Sequence, residues 1–258
     1  MTITLQNPHS VLAVLDTRPR DVIDVRLGSR QPGAAWGEVA AIAKRHRVPV
    51  SYARAADHSR RRKPDRQADA GRSGTSSSTV KERGDVSLEQ LFAGMKAGAG
   101  DHRLFLALDC LQDPHNVGAI FRTAAFFGVS GIVLTKDRSA PLNAAVYDVA
   151  SGGLEYVPFS IQTNLSRALQ MAKEVGLWGL GTSEHCDTDF RDIPLDRPWL
   201  LIVGNEEKGM RRLTAERCDM LCRIPPQSPV SSLNVSVAAG ILIARFSSPT
   251  HTSSESAG

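Results

Sequence analysis

IPPQSPVSSLNVSVAAGILIARF, residues 224–246, joins two kinds of sequence that seldom adjoin. Its first half is a proline-punctuated loop rich in hydroxyls and amides: Pro225, Pro226, Gln227, Ser228, Pro229, Ser231, Ser232 and Asn234. Its second half, residues 235–246, is apolar on nearly every helical face. Such a helix must be buried by a large core, a membrane or another subunit. At about a dozen residues it is too short to span a bilayer. A polar loop pinned by a buried helix suits a rigid binding site. Ser231, Ser232 and Asn234 are also good helix caps, but capping alone explains neither the prolines nor the second serine.

Working back from this stretch, strands and helices alternate. Residues 104–111 (LFLALDCL) form a near-continuous apolar run, as in a parallel strand covered on both faces. Residues 116–127 predict a helix with Val117, Ile120, Phe121 and Ala124 on one side and Gly128 as its stop. Further strands are expected at 132–135, 156–159, 177–182, 199–203 and 220–224, with helices at 86–96, 141–152, 164–175 and 210–217. That alternation predicts an α/β fold with a mainly parallel sheet. In front of it, residues 1–56 read as a small α/β unit with little apolar material. Residues 57–84 read as a basic, Ser-rich linker containing SRRRKPDR at 59–66, residues 85–246 as the main domain, and 247–258 as a disordered tail.

A chain of 258 residues with 41% hydrophobic and 22% charged residues can bury a sizeable core. No apolar run reaches membrane-spanning length and no signal-peptide layout opens the sequence, so no membrane partner is expected. The four cysteines lack paired CxxC spacing, and no His/Cys/carboxylate cluster has metal spacing. Reduced cysteines, a cytoplasmic location and no metal are therefore the expectation. Charge is unevenly placed: residues 1–84 carry 16 Lys and Arg against 8 Asp and Glu, and residues 85–258 carry 15 against 19. A basic front on a mildly acidic body points to a polyanionic partner.

Ligands of open parallel sheets bind beyond the carboxyl ends of strands. Three strand ends carry unusual loops, QDPHNVG (112–118), GNEEKGM (204–210) and the proline–serine loop already quoted. None is a phosphate cradle, since neither GxxxxGK[ST] nor GxGxxG occurs after a first strand. A cofactor held mainly by backbone and small residues is favoured.

NVGAIFRTAAFFG (116–128), IVGNEEKGM (202–210) and IPPQSPVSSLNVSVAAGI (224–241) resemble, in order and spacing, the three motifs of the SpoU/TrmH family of SPOUT-class RNA ribose 2′-O-methyltransferases. The resemblance covers about residues 104–246. DPHNVGAIFRTA, KDRSAPLNA (136–144) and KGMRRLT (208–214) are similar to the bacterial members that methylate a guanosine of 23S rRNA. The front, residues 9–27, resembles the L30e-like RNA-binding domain of those members. The family implies a C-terminal trefoil knot, a homodimer, RNA as substrate, and S-adenosyl-L-methionine as cofactor.

On the matching positions, Gly204, Ile224 and Leu233 would hold the cofactor largely through backbone groups, with Thr182 lining the same pocket. Arg122 lies opposite the apolar stripe of its helix and belongs to the catalytic group. An arginine does not ordinarily deprotonate, which suits it to phosphate binding and to stabilising the developing alkoxide. Asn116, Glu206, Ser232 and Asn234 are carried over as positioning groups. Asn116 could instead cap its helix, and Glu206 could be satisfied by the helix expected after Met210. The chain departs from the family pattern at Pro226, at Ala244–Arg245, and in lacking an HxG strand before the linker. A tRNA ribose methyltransferase and a nonenzymatic RNA-binding or ribosome-assembly factor on the same fold stand as alternatives.

Overall fold

The apolar octet LFLALDCL lies at the centre of the larger of two sheets. The computed structural model describes residues 1–53, 75–95, 102–230 and 232–247. The basic run at 59–66 and the tail from residue 248 lie outside the described residues. The chain divides into two compact units, Met1–Arg83 and Gly84–Gly258.

In the first unit, β1 (Thr2–Leu5) leads into α1 (Pro8–Thr17), whose Asn7 cap accepts a hydrogen bond from His9 N at 2.9 Å. β2 (Val22–Leu27), α2 (Ala34–Arg45), β3 (Val50–Tyr52) and β4 (Ser77–Lys81) follow. The sheet order is β1-β4-β2-β3, with β2 and β3 parallel and the β4 pairings antiparallel. β4 corrects the expectation of a linker running to residue 84. SSTVK has one large apolar residue, so hydropathy alone does not reveal a strand. Alternation nevertheless buries Ser78 beside Val80, and the Ser78 hydroxyl is satisfied by Asp24 O at 2.8 Å. Val80, from outside residues 1–56, adds to the apolar material of this unit.

The second unit starts with α3 (Leu88–Leu91), a single turn closed by the Ser87–Gln90 capping box. It is shorter than the helix expected at 86–96, because Gly94 adopts φ 74° and ends the turn. Then come β5 (Leu104–Asp109), α4 (Pro114–Phe126), β6 (Gly131–Thr135), α5 (Ala144–Ala150), α6 (Gly153–Tyr156) and β7 (Phe159–Gln162). α7 (Ser166–Glu174), β8 (Trp178–Thr182), β9 (Trp199–Gly204), α8 (Arg212–Ala215), β10 (Met220–Cys222) and α9 (Val235–Phe246) complete it. The strand expected at 156–159 is displaced to Phe159–Gln162. Ser151 and Gly152, both at positive φ, end α5 and start the extra turn α6 in its place.

All six strands are parallel, in the order β10-β8-β9-β5-β6-β7. Every residue of β5, β6 and β9 is buried, as expected for strands covered on both faces. Phe105, Ala107, Val133, Leu200 and Ile202 pack into one cluster with α3 and α7. The alternate residues face the other side, where Trp199 meets Phe246 of α9 at 6.0 Å between ring centroids. α9 runs alongside α4 in the same direction: Asn234 bonds Asn116 at one end, and Gly240 faces Thr123 about two turns further on. α5 presses so closely on α4 that a Cβ on Gly118 would lie 2.7 Å from Val149 Cβ.

Within one subunit α9 is covered on part of its surface. Val235, Ala239, Leu242, Ile243 and Phe246 are buried within the unit, whereas Val237 is 50% and Ile241 37% exposed. Spaced i, i+4, these two form an apolar stripe on the outer side. Among the described residues no helix is long and apolar enough to cross a membrane.

Candidate active site

A parallel sheet sends the carboxyl ends of its strands to one edge, and here that edge gathers the three loops singled out in the sequence. β5 ends in residues 110–113, β9 in 205–211 and β10 in 223–234. Three side chains meet there, one from the first turn of α4 after the β5 loop and one from each of the other two regions. Asn234 donates from Nδ2 to Asn116 Oδ1 at 3.0 Å, and Asn116 donates from Nδ2 to Glu206 Oε1 at 3.2 Å. Asn116 is 6% exposed, so both ends of its amide require partners and both have one.

The two alternatives for these residues resolve locally. Asp113, not Asn116, caps α4 by accepting from His115 N at 2.8 Å; Asn116 lies inside the helix and points to the network. Glu206 is held by the approach to α4 rather than by the helix after Met210. Its Oε2 accepts from Gln112 N at 3.4 Å and Asn205 Nδ2 at 3.2 Å, and its Oε1 from Asp113 N at 3.3 Å as well as Asn116. Four donors occupy the carboxylate, which makes it a clasp between the β9 and β5 loops. Asn234 does cap its helix, accepting from Ser236 N at 2.9 Å, so one amide serves both cap and network.

The loop after β9 is a tight crossing of backbone on backbone. Asn205 and Gly209 exchange N–H···O bonds of 3.0 Å in both directions, and Gly209 adopts φ 65°. A Cβ on Gly204 would fall onto Gly209 C and Met210 N. The absent side chain therefore makes room first for the chain's own loop.

Sequence reasoning missed the ion pair that locks this loop. Asp109, with no exposed surface, accepts from Arg211 N at 3.0 Å and from Arg211 Nε at 2.7 Å, while Arg211 Nη2 lies 2.6 Å from Oδ1. Burial works against the Arg211 charge, but the hydrogen bonds and charge of Asp109 outweigh it and raise the guanidinium pKa. The signal was present: a carboxylate inside the otherwise apolar LFLALDCL needs a buried partner. Next to it, Cys110 adopts φ 62° and receives Asn205 Nδ2 on its carbonyl at 2.9 Å; burial pushes its thiol pKa up.

The remaining sequence-predicted residues lie outside this network. Arg122 is exposed on α4 and makes no hydrogen bond or ion pair among the described residues. Ser232 and Leu233 are exposed, and Leu233 retains 48% of its surface. The backbone groups of Ile224 and Leu233 make no hydrogen bond among the described residues, leaving them available to a ligand. Thr182 at the end of β8 donates to Ile202 O at 3.2 Å. No group of three or more His, Cys, Asp or Glu that could hold a metal occurs among the described residues. A recess lined by His102, Leu104, Phe127 and Ser130 opens at the opposite, amino-terminal edge of the strands and contains none of the predicted site residues.

Comparison with known proteins places this geometry in a family. Residues 103–244 match the model of the SpoU rRNA Methylase family. The chain is 36% identical over 241 residues to the 23S rRNA (guanosine-2'-O-)-methyltransferase RlmB of Pseudomonas putida, covering 91% of this chain and 92% of that protein. It is 44% identical over 170 residues to the protein of the same name from Nitrosomonas europaea, covering 66% of this chain. The alignments with the N. europaea and Pseudomonas aeruginosa relatives span 64% and 56% of those proteins' length. Among solved structures, the SpoU methyltransferase AviRb from Streptomyces viridochromogenes superposes with a TM-score of 0.74 at 19% identity, covering 95% of this chain and 88% of that one. An AdoMet-bound rRNA methyltransferase from Sinorhizobium meliloti superposes with a TM-score of 0.70 at 21% identity, covering 95% and 86%. These two likenesses establish the fold.

Proposed function

The chain belongs to the SpoU rRNA Methylase family, and on that premise we propose that it transfers a methyl group from S-adenosyl-L-methionine to the ribose 2′-hydroxyl of a guanosine in 23S rRNA. The observation that carries the reading is the hydrogen-bonded chain Asn234–Asn116–Glu206, which joins the three motif regions at the carboxyl edge of the sheet. The names of the relatives support the 23S rRNA guanosine over a tRNA target.

The residues present fit the cofactor. Free backbone donors and acceptors at Ile224 and Leu233 suit the edge of an adenine base, and Pro225 and Pro226 stiffen the segment that carries them. Gly204, Thr182, Ile224 and Leu233 are the binding residues in this reading. When bound, the cofactor supplies an electrophilic methyl on its sulfonium; everything else falls to the chain. Glu206 and Asn116 hold the β5 and β9 loops in register. Asn234 fixes the start of α9 and the loop that precedes it, and Ser232 and Asn116 orient the ribose. Arg122, exposed and with no side-chain partner among the described residues, binds the target phosphate and stabilises the alkoxide as the 2′-hydroxyl gives its proton to solvent water.

The same reading includes a trefoil knot, a homodimer and a cytoplasmic location. The knot is supported by the path of the chain, which leaves β9, pairs β10 outside β8, and returns through 223–234 to lay α9 on α4. Val237 and Ile241 support a second subunit over α9. Four free cysteines suit the cytoplasm. The basic front unit is the RNA-recognition module in this reading, as its L30e-like resemblance and its charge excess suggest.

Methyl transfer from labelled S-adenosylmethionine to 23S rRNA transcript tests the reading. Wild type is expected to label one ribose, and Arg122→Ala to lose at least about 100-fold in rate while unfolding at the wild-type temperature. Wild-type protein that binds the cofactor but labels no RNA would refute it.

A further inference from the structure

We propose that the loop after β6, residues 136–140, is a rigid clamp for backbone phosphates flanking the target nucleotide, with Lys136 and Arg138 as its grips. The proposal rests on reading the adjacent site as an RNA methyltransferase site. Both residues lie in KDRSAPLNA, the stretch similar to the bacterial 23S rRNA members, but in none of the three motifs that carry the site residues.

Six of the twelve other described lysines and arginines of the second unit are engaged by carboxylates, Arg211 with Asp109 among them. Arg167 pairs with Glu89, Lys173 with Asp219, Arg191 with Asp189, Arg197 with Asp196, and Arg212 with Glu216. Lys136 and Arg138 are exposed and make no ion pair or hydrogen bond from their side chains among the described residues. Neighbouring acids do not compensate them. Asp109 is committed to Arg211, and Glu206 holds four donors. Asp113 caps α4, and Asp137, which lies between the two cations, forms no ion pair with either of them among the described residues.

The loop is also held in one unusual shape. Arg138 adopts φ 57°, a left-handed conformation that residues other than glycine seldom take and that persists only where the surroundings enforce it. They do so from both sides. Thr135 Oγ1 and Ser139 Oγ share a 2.6 Å hydrogen bond, Cys110 Sγ donates to Asp137 O at 3.6 Å, and Ala140 N donates to Leu111 O at 2.8 Å. Cys110 and Leu111 directly precede the Gln112 and Asp113 amides that grip Glu206. The cationic loop is thus tied to the segment that builds the active site. A fixed pair of unpaired cations beside that site is suited to the negatively charged backbone running through it, where such contacts set position rather than sequence choice.

The test is filter binding of in-vitro-transcribed 23S rRNA across a salt series, with S-adenosylhomocysteine affinity measured by calorimetry on the same full-length proteins. For the double variant Lys136→Gln/Arg138→Gln, the slope of log affinity against log salt should flatten by about 1.4, since each lost single-strand phosphate contact removes about 0.7. Arg138→Gly relieves the backbone and should flatten the slope by about half as much, whereas Arg138→Lys keeps the charge and should retain it. S-adenosylhomocysteine affinity should be unchanged in all three. An unchanged slope in the double variant overturns the clamp, and so does weaker binding at unchanged slope. Parallel loss of S-adenosylhomocysteine binding would overturn it too, by showing that the loop shapes the fold instead. If wild type binds S-adenosylhomocysteine but not 23S rRNA, the functional reading fails along with the clamp; if wild type binds both and the variants match it, the clamp alone fails.

Discussion

Asn234 performs two separable tasks, and substitution can divide them. Its Oδ1 caps α9 through Ser236 N, and its Nδ2 satisfies Asn116 Oδ1. Asn234→Ser keeps a capping oxygen but cannot reach Asn116, so it should cost about 1–2 kcal/mol for leaving a buried amide oxygen unpaired. Asn234→Ala loses the cap as well and should cost about 1 kcal/mol more. Urea unfolding measures both, provided the signal comes from the second unit, because a two-unit chain need not unfold in one step. Trp178 and Trp199 lie in that unit and Trp36 in the other, so a Trp36→Phe background isolates the fluorescence of interest. Both variants should also slow methyl transfer by at least about tenfold, since a misplacement on the order of 1 Å can cost about 100-fold. Equal destabilisation by Ser and Ala would refute the division between cap and network. A loss below about 0.5 kcal/mol for Ala would refute the network itself.

Other consequences are open to simpler measurements. Leu242→Arg should unfold the second unit, because Leu242 is 1% exposed within its own subunit, whereas Val237→Glu should leave a folded but monomeric protein by sedimentation. Arg211→Met strands the buried Asp109 carboxylate and should destabilise by about 3 kcal/mol, the low end for a broken buried pair because Arg211 is itself partly exposed; a calorimetric unfolding temperature equal to wild type would contradict that. Burial pushes the Cys218 and Cys222 thiols up from 9.0 to about 12. Below pH 9 both states are protonated; between 9 and 12 the unfolded chain ionises and the folded one does not, so stability should fall as pH rises through that window. Urea midpoints that stay flat from pH 9 to 11, in a buffer series at constant ionic strength, would show that these thiols are not buried as described.

What could be read from the residues divides along physical lines. LFLALDCL declares a doubly covered strand because all its positions but Asp109 are apolar, and the three strand-end loops stand out because hydroxyls, amides and prolines interrupt such runs. Ser87 and Asn234 cap their helices as their positions suggest. β4 was not legible: its central Ser78 is tolerated in the core only through a hydrogen bond to a strand 54 residues away. Asn116 looked like a cap because it sits near a helix start, and only tertiary structure shows that Asp113 holds that post. For α9, hydropathy shows that the helix needs covering but does not distinguish the face its own core covers from the outward Val237–Ile241 stripe. The Asp109–Arg211 pair joins residues 102 positions apart, beyond the reach of any local pattern.

That separation has a bearing on how the protein comes into being. Asn116 waits for Glu206, 90 residues downstream, and for Asn234, 118 residues downstream. Closing such long loops is entropically slow and precedes any reward from the contact. As the chain emerges during synthesis, β5 through β9 can assemble while Asn116 still lacks its second partner. Only when the last helix leaves the ribosome and docks on α4 does the amide network close. A nascent or C-terminally clipped chain with most of its sheet in place therefore lacks the closed Asn234–Asn116–Glu206 network, and on the proposed reading methylation competence is the last property the chain acquires.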